Sequence, residues 1–162
     1  MSRRKGFSLV ELLIVLAVIA ALIATITPVA LNAIKKAKAT QVAQNLKTLA
    51  SAIENKAYVD GFDSTTPTNI KDLPAGTETI KELGRDIDQT KYGVWYNKGT
   101  GDDAGKVTVY VMTAEDVAAD EVKKVLDTAT KTNLPNIDSY VKLGKDNFTG
   151  SVLQYTFTFN VY

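Results

Sequence analysis

The feature that most constrains this chain is an uncharged apolar run of 23 residues, from Leu12 to Ile34. Most of these residues are Leu, Ile, Val or Ala, and about 20 of them suffice for a helix to cross a bilayer core. One acid, Glu11, stands at the leading edge of the run. A carboxylate at membrane depth costs roughly 2.5–3.5 kcal/mol, so we expect a positively charged partner for it. The run therefore predicts a membrane-spanning helix with a functional acid at its start.

A short basic segment precedes the run. It contains Arg3, Arg4 and Lys5 and leads into the stretch Gly6-Phe7-Ser8-Leu9-Val10-Glu11-Leu12-Leu13-Ile14-Val15. This stretch resembles the class III signal of type IV pilins and pseudopilins. In that family a basic leader ends in Gly, the next residue becomes the mature N-terminus, and an acid occupies the fifth mature position. The resemblance is specific over residues 3–30 and weakens to a general pattern after about residue 58.

The resemblance implies roles for four residues. Gly6 and Phe7 would flank the bond at which the prepilin peptidase removes leader 1–6, and the new amine of Phe7 would be N-methylated. That amine would pair with Glu11 of a neighbouring subunit, although the four-residue spacing also allows pairing within one subunit. Pro28 falls where many bacterial pilins carry a proline. Proline lacks the helical donor and clashes with the preceding turn, so we expect a kink or local opening of the helix there.

The positive charges of the leader predict that the N-terminus stays in the cytoplasm. The resemblance then implies a single-pass protein of the cytoplasmic membrane before assembly and an extracellular pilus subunit afterwards. Lys35, Lys36 and Lys38 follow the run; lipid or DNA binding is conceivable, but a solvated helix face is the simpler interpretation. An ordinary secretory signal or a plain membrane anchor fits the apolar run but leaves the Gly6–Phe7 pair and Glu11 unexplained.

Composition limits the available chemistry. Without the three leader cations, 16 basic side chains stand against 18 acidic ones, a net charge of −2 that argues against a specific nucleic-acid partner. The absence of Cys excludes disulfides and thiolate chemistry, and the absence of His excludes histidine-based catalysis and histidine-ligated zinc. We therefore expect no catalytic residue, no metal site and no cofactor.

The helical pattern continues beyond the apolar run. Apolar side chains spaced three and four apart form one stripe: Ala39, Val42, Leu46, Leu49, Ile53 and Ala57. One helix is predicted from Phe7 to about Tyr58. Its first part, 7–34, is apolar all round and suits lipid or other helices, whereas its amphipathic part, 35–58, should lie on its own domain.

A globular head is predicted for residues 59–162, and its first segment is a polar connector. We expect short helices at Asn69–Leu73 and Glu78–Leu83, strands at Tyr92–Tyr96, Lys106–Met112 and Leu153–Val161, and a helix that starts at Thr113-Ala114-Glu115-Asp116 and ends near Lys131. The region between that helix and the last strand reads as irregular. One face of the last strand is apolar and should pack on the second half of the long helix. The predicted class is α+β, a pilin fold with a long N-terminal helix packed on an antiparallel sheet.

Two features of the head allow a ligand-binding interpretation. Asp102 and Asp103 suggest a calcium loop, but their spacing does not match an EF-hand, and a plain polar hairpin is favoured. Tyr92, Trp95 and Tyr96 allow a sugar-binding platform, although packing in the core is the simpler role for them.

Sequence and resemblance together predict a major type IV pilin. Such a subunit is a homo-oligomer in a helical filament, and its partners are the prepilin peptidase and the pilus assembly machinery. Adhesion, motility and DNA uptake are the roles that the family implies. The alternative is a pseudopilin of a type II secretion or competence system. A membrane-anchored enzyme or binding module is a third hypothesis, for which the sequence offers no convincing carboxylate pair.

Overall fold

A computed structural model describes residues 7–76, 78–134 and 139–161. The elements in chain order are α1 (Leu9–Val59), α2 (Ile80–Leu83), β1 (Tyr92–Lys98), a 3₁₀ turn (Gly101–Asp103), β2 (Lys106–Thr113), α3 (Ala119–Lys123), β3 (Thr130–Asn133), β4 (Val141–Gly144) and β5 (Ser151–Asn160). A long N-terminal helix followed by a five-stranded antiparallel sheet confirms the predicted α+β, pilin-like architecture. The predicted leader 1–6, with Gly6, lies outside the described residues and stays a prediction.

The single long helix predicted from the two apolar patterns is present. α1 has 51 residues and is long and apolar enough to cross a membrane. Its large apolar side chains between residues 9 and 34 are 46% to 75% exposed. The predicted stripe behaves differently, because every member from Ala39 to Ala57 is at most 2% exposed. The change from exposed to buried occurs within one helix, at the boundary between its uniformly apolar and its amphipathic part.

The chain divides into two compact units, one up to Ala37 and one from Lys38 onward. The second unit contains the amphipathic part of α1 and the whole sheet. Its core joins helix residues such as Leu46 and Ile53 to strand residues such as Val109 and Phe159. At roughly 25 cal/mol per Å² of apolar surface removed from water, this shared core is the main stabilising contribution to the head.

The sheet has the strand order β3-β5-β2-β1-β4, and all neighbours are antiparallel. β1 and β2 form a hairpin from Tyr92 opposite Thr113 to Lys98 opposite Val107. β5, although last in the chain, pairs with all of β2 and also with β3. Its apolar face, which includes Leu153 and Phe159, joins the helix in the core as predicted.

Several details of the head differ from the prediction. The prediction of a helix from Thr113 to Lys131 is wrong, because only Ala119–Lys123 is helical. Thr113 is the last residue of β2, and Lys131 belongs to β3. The Thr113 hydroxyl accepts from the Glu115 N–H at 3.0 Å, a turn after a strand rather than a helix cap.

Other corrections concern short elements. Asn69–Leu73 is not helical, because Ile70 forms a β-bridge with Phe62 instead. The helix expected at Glu78–Leu83 is present only from Ile80, and the supposedly irregular region after residue 133 contains β4. Each of these segments is too short for its periodicity to distinguish helix from strand.

Candidate assembly site

The candidate site lies in the first turn of α1. The side chain of Glu11 accepts a hydrogen bond from the Ser8 N–H through Oε2 at 2.9 Å, while Ser8 Oγ accepts from the Val10 N–H at 3.3 Å. Ser8 precedes the helix and Glu11 is its third residue, so the two form a variant of the capping box in which the Ser8 hydroxyl caps the second helical residue instead of the third. Glu11 therefore caps the N-terminus of its own helix, the end at which the helix dipole favours negative charge.

The expected cation for Glu11 is not found among residues 7–76, 78–134 and 139–161, where no ion pair of Glu11 is formed. Only Oε2 is used by the Ser8 amide. Within the described residues no hydrogen bond of the other oxygen, Oε1, is formed, and the neighbouring apolar side chains are exposed, with Phe7 86% and Leu9 75% accessible. The first turn thus places a carboxylate within an apolar surface.

Ser8 is a residue that the sequence reasoning missed. Its signal was present, because Ser-x-x-Glu immediately before an apolar run is the signature of a capping box. Besides carrying a charge, Glu11 acts as a hydrogen-bond acceptor within its own helix. A cap of this kind contributes about 1 kcal/mol to helix stability.

Further along the apolar run, the polar groups are satisfied inside the helix. Thr25 Oγ1 donates to the Leu22 carbonyl at 2.9 Å, and Thr27 Oγ1 donates to the Ile23 carbonyl at 2.8 Å. Both hydroxyls can therefore enter an apolar environment without an unpaired donor. α1 stays helical through Pro28, whose ring nitrogen has no hydrogen to donate. The kink expected at this proline stays a prediction.

A second polar cluster connects the amphipathic part of α1 to the head. Glu115 lies 3.6 Å from Lys38 Nζ and 3.2 Å from Lys91 Nζ, and Lys38 also donates to the Asp116 carbonyl at 2.9 Å. The hydrogen bond to Glu115 raises the pKa of Lys91. Lys38 stays exposed, as expected for a solvated helix face, but its charge is also used within the chain. Sequence alone offered no signal for this pair, because 77 positions separate Lys38 from Glu115.

The two ligand-binding interpretations of the head have different outcomes. Asp103 lies 3.5 Å from Lys106 in the turn of the β1–β2 hairpin, in keeping with a plain polar hairpin. Tyr92, Trp95 and Tyr96 are each at most 4% exposed, so the sugar platform is wrong: their rings pack in the interior. The Tyr96 hydroxyl accepts from the Ile70 N–H at 3.0 Å, and burial raises its pKa.

Comparison with known proteins concerns the same N-terminal region. The family described as the prokaryotic N-terminal methylation motif matches residues 1–27, which include Ser8 and Glu11. No curated protein and no solved structure gave a match. The resemblance seen in the sequence is thereby confirmed for this segment. The chain carries the prokaryotic N-terminal methylation motif, the class III signal peptide of type IV pilins and pseudopilins, ahead of a pilin-like α+β head.

Proposed function

We propose that this chain is a major type IV pilin, a structural subunit that polymerises through the first part of α1 into an extracellular filament. The methylation motif supports a type IV pilin or pseudopilin. The observation that carries the proposal is the exposure of 46% to 75% at every large apolar side chain from residue 9 to residue 34. A surface of this kind needs lipid before assembly and other helices after it.

Burial holds such a filament together once it is outside the membrane. When the apolar helices of several subunits pack together, their surface is kept from the water around the filament. Each 100 Å² of apolar surface kept from water contributes about 2.5 kcal/mol. The internal hydrogen bonds of Thr25 and Thr27 remove a polar cost that would otherwise oppose this packing.

The first turn of α1 would set the register of the filament. Cleavage between Gly6 and Phe7 creates an amine on Phe7, which is then methylated, and Glu11 of a neighbouring subunit accepts its charge. The capping box leaves one oxygen of Glu11 for that contact. A buried ion pair fixes geometry more reliably than it adds stability, so register is the role we assign to it.

A pseudopilin is the second candidate, because the motif is shared by both classes of subunit. It would form a short filament of a type II secretion or competence system. An enzyme is not proposed, since the family consists of structural subunits. The filament roles in adhesion, motility or DNA uptake belong to the pilin proposal.

The test is the intact mass and N-terminal sequence of protein sheared from the cell surface, compared with the membrane fraction. Sheared protein that begins at methylated Phe7 is the expected result. Processed protein confined to the membrane fraction would favour a pseudopilin. Protein that still begins at Met1 or Ser2 in cells with an active prepilin peptidase would overturn both candidates.

A further inference from the structure

β5 has an open edge over more than half of its length. One side of the strand pairs with β2 from Leu153 to Asn160. The other side pairs with β3 only from Ser151 to Gln154. Within the described part of the sheet, no strand lies beside Tyr155–Asn160 on that side.

The direction of the backbone groups along this edge follows from one hydrogen bond. The Val161 N–H donates to the Gly105 carbonyl at 2.7 Å, on the side of β2. Backbone groups alternate between the two sides of an antiparallel strand. The N–H and C=O groups of Thr156, Thr158 and Asn160 therefore point to the open side, and none of these six groups has a backbone partner there among the described residues.

Nothing in the sequence of this edge discourages a further strand. No charged residue and no proline occurs from Asn147 to Tyr162. The other edges of the sheet are protected: Lys131 lies in the middle of β3, and Lys142 in β4. In addition, Gly76 covers β4 by accepting from the Gly144 N–H at 2.9 Å. Charges and covering segments are the usual means by which proteins prevent edge-to-edge pairing. Tyr155–Asn160 carries no charge, and no described segment is hydrogen-bonded over its open side.

We propose that the open edge of β5 pairs with the same edge of a second copy of this chain, in antiparallel orientation and centred on Thr158. In this register Thr158 lies opposite Thr158 of the second copy, and Thr156 lies opposite Asn160. All six outward backbone groups of each copy then find partners. A shift of the centre to Phe157 places Asn160 opposite Gln154, whose outward groups already belong to β3.

The chemistry of the side chains favours a like strand over a charged peptide. Thr156, Thr158 and Asn160 are exposed, neutral and polar, so self-pairing brings no like charges together. Threonine pairs across antiparallel strands are favourable, and β-branched residues suit the extended backbone. A charged segment would find no opposite charge along this edge.

The inference is independent of whether the chain is a pilin or a pseudopilin. A two-fold contact joins identical patches and closes on itself, whereas a helical filament grows through contacts between different patches. Pairing through β5 would therefore join chains that are not successive subunits of one filament.

The test uses single cysteines, which the chain permits because it contains none of its own. The full-length variants Thr158→Cys, Thr156→Cys and Asn160→Cys are purified in non-ionic detergent, and Trp95 fluorescence establishes that each is folded. Disulfide-linked dimers are measured on non-reducing gels after mild oxidation. A disulfide requires Cα atoms about 4.4–6.8 Å apart, so it reports the register directly.

Thr158→Cys should form dimers about tenfold faster than Thr156→Cys or Asn160→Cys alone, because the latter cysteines are displaced by four residues, or about 14 Å, along the strand. An equimolar mixture of Thr156→Cys and Asn160→Cys should recover the fast rate, which tests the register without altering Thr158. Equal rates for all three single variants, or no gain in the mixture, would overturn the proposal. Capture of a different polypeptide without homodimer would assign the edge to another partner and also overturn it.

Discussion

Two glycines with the same backbone conformation but different surroundings allow the packing around β4 to be measured. Gly144 has φ +76° and Gly150 has φ +71°, a region that costs an L-residue about 1–2 kcal/mol. A Cβ at Gly150 would meet nothing within 4 Å. A Cβ at Gly144 would lie 2.5 Å from the Tyr92 carbonyl oxygen and even closer to the Ile80 side chain.

The substitution Gly144→Ala should therefore cost more than Gly150→Ala. Both variants incur the free-energy cost of placing an L-residue at positive φ. Only Gly144→Ala also overpacks the core, which costs about 1–3 kcal/mol. The Tyr92 carbonyl also accepts from the Lys145 N–H at 2.8 Å, and displacing it weakens a bond that contributes about 1 kcal/mol. We expect losses of about 3–5 kcal/mol for Gly144→Ala and about 1–2 kcal/mol for Gly150→Ala.

Urea unfolding of the full-length chain in non-ionic detergent would measure both losses. The only tryptophan, Trp95, is 4% exposed and donates to the Lys145 carbonyl at 3.2 Å, so its fluorescence reports on this part of the sheet. The two variants share the change in unfolded-state entropy, which cancels in the comparison. Equal losses would refute the reasoning, because they would mean that β4 moves aside without cost.

Three further predictions concern charge and hydrogen bonding. Glu11→Val should leave the chain in the membrane but sharply reduce filaments, and Glu11→Gln, which keeps the capping acceptor, should do the same if charge sets the register. Tyr96→Phe should lower the unfolding free energy at pH 7 by about 1–3 kcal/mol, because the Ile70 N–H loses its acceptor. Because burial raises the pKa of Tyr96 in the folded chain, above about pH 10 this hydroxyl ionises in the unfolded chain before it does so in the folded one. The unfolding free energy of the wild type should therefore fall above that pH, and that of the variant should fall less. Glu115→Gln should lower the melting temperature by more than Asp102→Asn, an exposed acid, and the difference should shrink at high salt.

Each of these predictions has an opposite outcome that is easy to recognise. Normal filaments from Glu11→Gln with few from Glu11→Val would reduce the role of Glu11 to capping. Parallel pH profiles of wild type and Tyr96→Phe would mean that this hydroxyl does not control the alkaline loss. Equal melting temperatures for Glu115→Gln and Asp102→Asn would mean that the two lysine contacts of Glu115 contribute nothing measurable.

The elements that could be predicted are those with a long, regular pattern. α1 combines an uncharged run with a stripe spaced three and four apart, and β2 and β5 alternate over eight and ten residues. Such patterns place the apolar side chains of a helix or strand on one face, and that face is the one buried in the core. The segment after Thr113 misled the prediction because acids, apolar residues and lysines follow one another as in a helix. Pairing with β5 outweighs that local preference at Thr130–Asn133.

The candidate site was predictable in part. The motif located Glu11 and Phe7, but the partner that Glu11 has in this chain is a backbone amide, which no charge pattern indicates. The Lys38–Glu115 pair depends on how the sheet meets the helix, so it requires the tertiary fold. The same holds for Gly144, whose need for a bare Cα comes from Ile80 and Tyr92, far away in the chain.

The place of β5 in the sheet has a consequence for translation. β3 pairs with β5, and the core that holds Leu46 and Ile53 of α1 is completed by Leu153 and Phe159. The helix leaves the ribosome before the sheet, and the strand that closes the head is made after the other four strands. Contacts so distant in sequence form slowly, and an unfinished chain exposes both an apolar stripe and unpaired strand edges. We therefore expect chains interrupted before residue 151 to be degraded by proteases, so that only chains translated through β5 reach the folded state.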